Sequence, residues 1–126
     1  MIILCISAAE SYIKSLNCDP NELRISLFDP SGRFSFAAER FIKYTNSLQV
    51  ATSAVRFYEA ENERFMREYG ATIFVHSNFY DIIPCDILVA PQTITMPISC
   101  GSTMTIFTGN RPKVPVCGIV HDNFSV

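Results

Sequence analysis

The chain has 126 residues, 48% of them apolar and 12% aromatic, which suits one globular domain with a core of its own and excludes a disordered segment. Ten basic and twelve acidic residues leave a formal charge of −2. The basic residues are scattered, and without the Lys/Arg cluster that neutralises phosphates no nucleic-acid partner is expected.

The five cysteines, Cys5, Cys18, Cys85, Cys100 and Cys117, are odd in number, widely spaced and form no CxxC pair. The two histidines, His76 and His121, are far apart. Neither a zinc site nor a disulfide framework follows from this spacing, and reduced thiols are the expectation. No apolar run reaches the length of a membrane span, and Met1–Ile6 lacks a basic stretch before it. The expected setting is cytoplasmic, with no membrane partner.

In chain order, Ile2–Ile6 reads as a buried strand. Ser7 then opens a helix, with Glu10 completing a capping box and Ala9, Tyr12, Ile13 and Leu16 on one face. Asn17–Pro20 ends it. Arg24–Phe28 is a strand, and Asp29-Pro30-Ser31-Gly32 is a turn by composition. Phe34, Ala37, Ala38, Phe41 and Ile42 match the i, i+3, i+4, i+7, i+8 template of an amphipathic helix.

Leu48–Thr52 is the next strand, with Ser53 as N-cap of a helix that carries Ala54, Tyr58, Phe65 and Tyr69 on one face. Glu63 and Arg67 form an i,i+4 pair, and Gly70 stands at the C′ position. Ala71–His76 is a strand, Phe79–Ile83 one helical turn, and Asp86–Ala90 a strand covered on both faces. Thr93–Ile98, Thr103–Thr108 and Val114–Val120 are β-like pieces separated by Pro and Gly. The ending without a closing helix fits a short last strand or a piece of a longer protein.

The element order from Arg24 to Pro91 resembles the first half of a Rossmann-like α/β domain. The expected fold is therefore a single three-layer Rossmann-like α/β domain over residues 1–126. It would have a mainly parallel sheet, helices on both faces and a β-rich C-terminal segment. The resemblance is architectural: the loop Asp29–Ser35 holds Gly32 alone where a dinucleotide fingerprint needs three glycines. Asp29 would also bring negative charge toward a phosphate.

Right-handed crossovers gather the strand-to-helix loops on one sheet edge, where ligands of parallel sheets bind. That edge should carry Asp29–Arg33, Thr52–Arg56, His76–Phe79 and Pro91–Thr93. The candidate ligand-binding residues are Ser31, Gly32, Arg33, Thr52, Ser53, Arg56 and His76. No GxSxG, P-loop or HExxH motif supplies a catalytic constellation, so whether the chain is an enzyme stays open.

Two functions follow as expectations. One is a non-catalytic module that binds a small ligand or another chain. The alternative is an NADP-binding domain or degenerate relative of an oxidoreductase. In that case Thr52, Ser53 and Arg56 would hold a 2′-phosphate, which makes NADP the first cofactor to test. The apolar C-terminal β segments suggest a homodimer edge.

Overall fold

Strands alternating with amphipathic helices have one economical arrangement, a parallel sheet with crossover helices packed on it. The computed structural model describes residues 2–77, 85–91, 104–107 and 119–123. Its elements are α1 (Ile2–Leu16), β1 (Arg24–Phe28), α2 (Ser35–Phe41), β2 (Ser47–Ala51), α3 (Val55–Tyr69), β3 (Phe74–His76), β4 (Ile87–Ala90), β5 (Met104–Phe107) and β6 (Ile119–Asn123). The described strands form a six-stranded sheet in the order β3-β2-β1-β4-β5-β6. Every pairing is parallel. The chain steps outward from β1 through β2 to β3, then returns to lay β4 on the other side of β1. The fold is α/β.

Register explains the core. Ile25 aligns with Leu48 and Ile87, and Leu27 with Val50 and Val89, which places one apolar face across the three central strands. Ile6, Ala9 and Ile13 of α1, Ala37, Ala38 and Phe41 of α2, and Tyr58 and Phe65 of α3 join those strand residues in one buried cluster. The five-residue stripe from Phe34 to Ile42 is buried throughout, as its periodicity requires. On the opposite sheet face Ser26, Phe28, Gln49, Ala51, Leu88 and Ala90 are equally buried. A continuous apolar run such as β4 belongs in a strand covered on both sides.

The first element is a correction. Ile2–Ile6 is not a strand: it forms the start of α1, and Ser7 lies inside that helix. Ile6, Ala9 and Ile13 share the buried face, so the helical period already runs through Ile6. A five-residue apolar run is compatible with either structure, and here the phase with the following residues decides. The Ser7–Glu10 capping box therefore does not form, and Glu10 reaches to α2 instead.

The helix layer is tied by side chains from α2 and the turn after it. Arg40 pairs with Glu10 at 2.6 Å, and Tyr44 donates to the same carboxylate at 2.9 Å. Burial pushes the Glu10 carboxyl up, but the Tyr44 hydrogen bond and Arg40 outweigh it and hold it below its usual range. On the other side of α2, Glu39 meets Arg64 at 2.8 Å and accepts from Tyr69. Arg64 also holds Glu61 at 2.7 Å and Glu68 at 3.0 Å. The expected Glu63–Arg67 pair is absent among the ion pairs of the described residues. Arg64, which faces α2, collects the carboxylates instead, because three acceptors converge there.

The helix ends follow local chemistry. Gly70 has φ +65°, its N–H reaches Met66 O at 3.0 Å, and Ala71 N–H reaches Phe65 O at 3.3 Å. The Gly70 N–H bond to Met66 O is the αL closure of a helix end, which needs the left-handed residue that glycine supplies. The strand expected over Ala71–His76 is shorter: residues 71–73 precede β3, with Ile73 N–H donating to Asn62 Oδ1 at 2.9 Å. The expected strand Thr103–Thr108 contains β5, and the one expected over Val114–Val120 meets β6 at residues 119–120. Phe79–Ile83 and Thr93–Ile98 lie outside the described residues. Among those residues, no helix is long and apolar enough to cross a membrane.

Candidate functional site

A strand-order switch lies between β1 and β4, and the loops leaving the carboxyl ends of β1 and β2 stand at one edge of the sheet. The loop after β1 is built around Asp29. Its N–H continues the ladder to Ala51 O at 2.9 Å, and its side chain is fully buried. Asp29 Oδ2 accepts from Phe34 N–H at 3.0 Å and from the Tyr58 hydroxyl of α3. Burial, then the adjoining Asp29 carboxylate, pushes the Tyr58 phenol far above its usual range, so it remains a donor. Asp29 Oδ1 is buried without a hydrogen-bond partner.

The loops after β1 and β2 are laced together. Gly32 N–H donates to Asp29 O at 3.2 Å, and Ser53 N–H to Pro30 O at 3.1 Å. Thr52 Oγ1 accepts from Ala54 N–H at 2.9 Å and donates to Pro30 O at 3.5 Å. Thr52 thus closes a turn just ahead of α3, and the N-cap falls one residue later than expected. Ala54 is the N-cap of α3 and Ser53 makes no cap bond. Gly32 has φ +78°, and a Cβ there would stand 2.8 Å from Ala54 Cβ. Only a residue without a side chain lets the two loops approach this closely.

These bonds sort the candidate residues. Ser31, Gly32 and Arg33 on the loop after β1 come together with Thr52 and Ser53 on the loop after β2 and with the first turn of α3, which holds Arg56. Gly32 is a packing point, and the hydroxyl of the buried Thr52 is taken by the backbone. Ser31, Arg33, Ser53 and Arg56 are exposed. Neither Arg33 nor Arg56 makes an ion pair with the described residues. His76 is set apart. Its carbonyl accepts Thr52 N–H at 3.0 Å, but β3 lies two strands from β1. Its imidazole follows Ala51 onto the sheet face opposite Val75, with Nε2 buried and unpartnered.

The geometry also limits what the β1 loop can do. Its Gly32 and Phe34 N–H groups are turned inward to Asp29, and Arg33 N–H contacts Ser31 Oγ at 3.4 Å. A backbone phosphate cradle needs such donors free, and α2 has only seven residues. An anion at this edge would be held by side chains.

Two cavities of about 300 and 340 Å³ open at the opposite edge, beside Tyr69–Thr72 and Asn62–Arg67. Helix carbonyl ends gather there, which disfavours anions.

Asp29 and Tyr58 are the site residues that sequence reasoning missed. A tyrosine on a core-facing helix stripe is the available signal, since a buried phenol needs an acceptor. Comparison with protein-family models, with curated proteins and with solved structures finds no match to this chain.

Proposed function

We propose that the chain is a non-catalytic Rossmann-like module that binds a small anionic ligand at the carboxyl edge of its sheet. The order β3-β2-β1-β4-β5-β6 is that of doubly wound dinucleotide-binding folds, in which ligands lie outside the carboxyl ends of the strands at the order switch. The observation that carries the reading is the pair Arg33 and Arg56. Arg33 is exposed on the loop after β1 and Arg56 in the first turn of α3, both at that edge, and neither has a carboxylate partner among the described residues. Unpaired guanidiniums with neighbouring serine hydroxyls suit phosphate or carboxylate groups. The carboxylate of the β1 loop itself, Asp29, is buried and bonded to Tyr58 and Phe34 N–H, which supports a structural role for it.

NADP is the second reading. Ser53 and Arg56 follow β2, where a dinucleotide domain meets the ribose, and an arginine there suits a 2′-phosphate. The occupied Thr52 hydroxyl leaves that contact to Ser53 and Arg56.

A thermal-shift series with NADP, NAD, pyrophosphate and inorganic phosphate tests both. Saturation at 100 times Kd adds about 2.7 kcal/mol, a rise of several degrees for a domain of this size. A shift with pyrophosphate and NADP that Arg56→Ala abolishes supports the anion site, and a preference for NADP over NAD supports the second reading. Anion-induced shifts indifferent to both arginines would refute the proposed site.

A further inference from the structure

We propose that the anion bound at this edge carries a planar aromatic ring, which stacks on Phe57. The inference rests on the anion site proposed above and names the class of molecule that site takes. Phe57 lies in the first turn of α3, next to Arg56, and is 45% exposed. An exposed phenylalanine alone needs no explanation. This one is held in place. Its ring meets that of Tyr58 edge-on, with centroids 5.6 Å apart and planes at 80°. Its Cδ2 lies 3.5 Å from where a Cβ on Gly32 would stand.

Both supports are fixed in turn. Tyr58 is fully buried and anchored on Asp29, and Gly32 is pressed against Ala54 with φ +78°. The Phe57 ring therefore sits against the β1 loop, beside the glycine that precedes Arg33 and one residue after Arg56. An aromatic surface with its geometry already set loses little entropy when a second ring covers it, and stacking adds to the removal of apolar area from water. With Arg56 preceding it in the helix and Arg33 following the glycine it packs on, the complement is a flat ring bearing a phosphate or carboxylate. Aryl phosphates and nucleoside phosphates share that chemistry.

Isothermal titration of the intact chain with phenyl phosphate and methyl phosphate isolates the ring, since the two anions differ only in the group to be stacked. Phenyl phosphate should bind at least ten-fold tighter. Phe57→Leu should bring the two affinities within about two-fold, and Phe57→Tyr should retain most of the advantage. Far-UV circular dichroism confirms that each variant is folded. Tighter binding of 5′-AMP than of ribose 5-phosphate identifies a nucleoside phosphate as the source. Equal binding of those two beside a preference for phenyl phosphate identifies a smaller aryl anion.

Equal affinity of phenyl and methyl phosphate for the unmodified chain overturns the ring proposal while leaving the anion site intact. So does an advantage that survives Phe57→Leu. If neither anion binds, the anion site itself is wrong and the ring proposal falls with it.

Discussion

The Tyr58 hydroxyl of α3 donates to the buried carboxylate of Asp29, the first residue beyond β1. One bond thereby joins the central strand, the loop that follows it and α3, which packs beside β3. The partner is 29 positions away in sequence, and the same carboxylate oxygen receives the Phe34 N–H just ahead of α2. The loop's shape is thus set from inside, by a charge turned away from the edge.

Removing the phenol tests that bracket. Tyr58→Phe keeps the ring and leaves a buried carboxylate with one donor fewer. Hydrogen bonds to charged groups contribute about 1.5–3 kcal/mol, so stability should fall by about 2 kcal/mol in urea unfolding, with an unchanged m-value. A loss below about 0.5 kcal/mol, roughly one weak hydrogen bond, would contradict the bracket.

Gly32→Ala adds one methyl at a residue with φ +78°, 2.8 Å from Ala54 Cβ. Strain in the left-handed region and the collision act together, and a loss of about 1–3 kcal/mol is expected. Ala54→Gly removes the collision but not the φ. The double variant should therefore recover part of the loss relative to the sum of the two single changes in a double-mutant cycle. Strict additivity would show that the loops do not touch.

Much of the fold was legible because its signals are local. The Phe34–Ile42 stripe, the Gly70 closure and the apolar strand β4 each depend on residues within a few positions of one another. The carboxyl edge was legible too, since alternating strands and helices put the loops after Phe28 and Ala51 side by side. What escaped depends on contacts at long range or on a phase shift. The N-cap of α3 falls at Ala54 rather than Ser53, a shift of one residue, with Thr52 closing the turn ahead of it. Arg64 displaces Arg67 as the ion-pairing residue because Glu39 of α2 lies opposite it, which i,i+4 spacing cannot reveal. Ile2–Ile6 was ambiguous by length, and only its phase with Ala9 and Ile13 makes it helical.

Ser7→Pro separates the two readings of that segment. At the start of a helix proline is tolerated, whereas in the interior it removes a hydrogen bond and clashes with the preceding turn. With Ser7 inside α1, the substitution should cost about 3 kcal/mol or more in thermal or urea unfolding. Near-neutral behaviour would restore the strand.

Acid should loosen the helix layer. Hydrogen bonds from Arg64 and then Tyr69 lower the Glu39 carboxyl from its usual 4.5 to about 2. A carboxyl depressed in the folded state stabilises above its unfolded value, and that stabilisation is lost as pH falls from about 4.5 toward 2. Glu39→Gln should therefore lower stability at pH 7, by about 0.5–1 kcal/mol for a half-exposed network, and reduce the pH dependence in that window. A variant as acid-sensitive as the unmodified chain would place the titration on other groups, Glu10 first among them.

The central claim is that the carboxyl edge around Arg33 and Arg56 receives an anion. The most direct measurement is a titration of the ¹⁵N-labelled chain with pyrophosphate, followed by amide chemical shifts. The account predicts saturable shifts concentrated at Ser31–Arg33 and Ser53–Phe57, lost in Arg33→Ala/Arg56→Ala. Shifts centred instead on Thr45 and Gly70 at the opposite edge, or no saturable shifts at millimolar pyrophosphate, would contradict it.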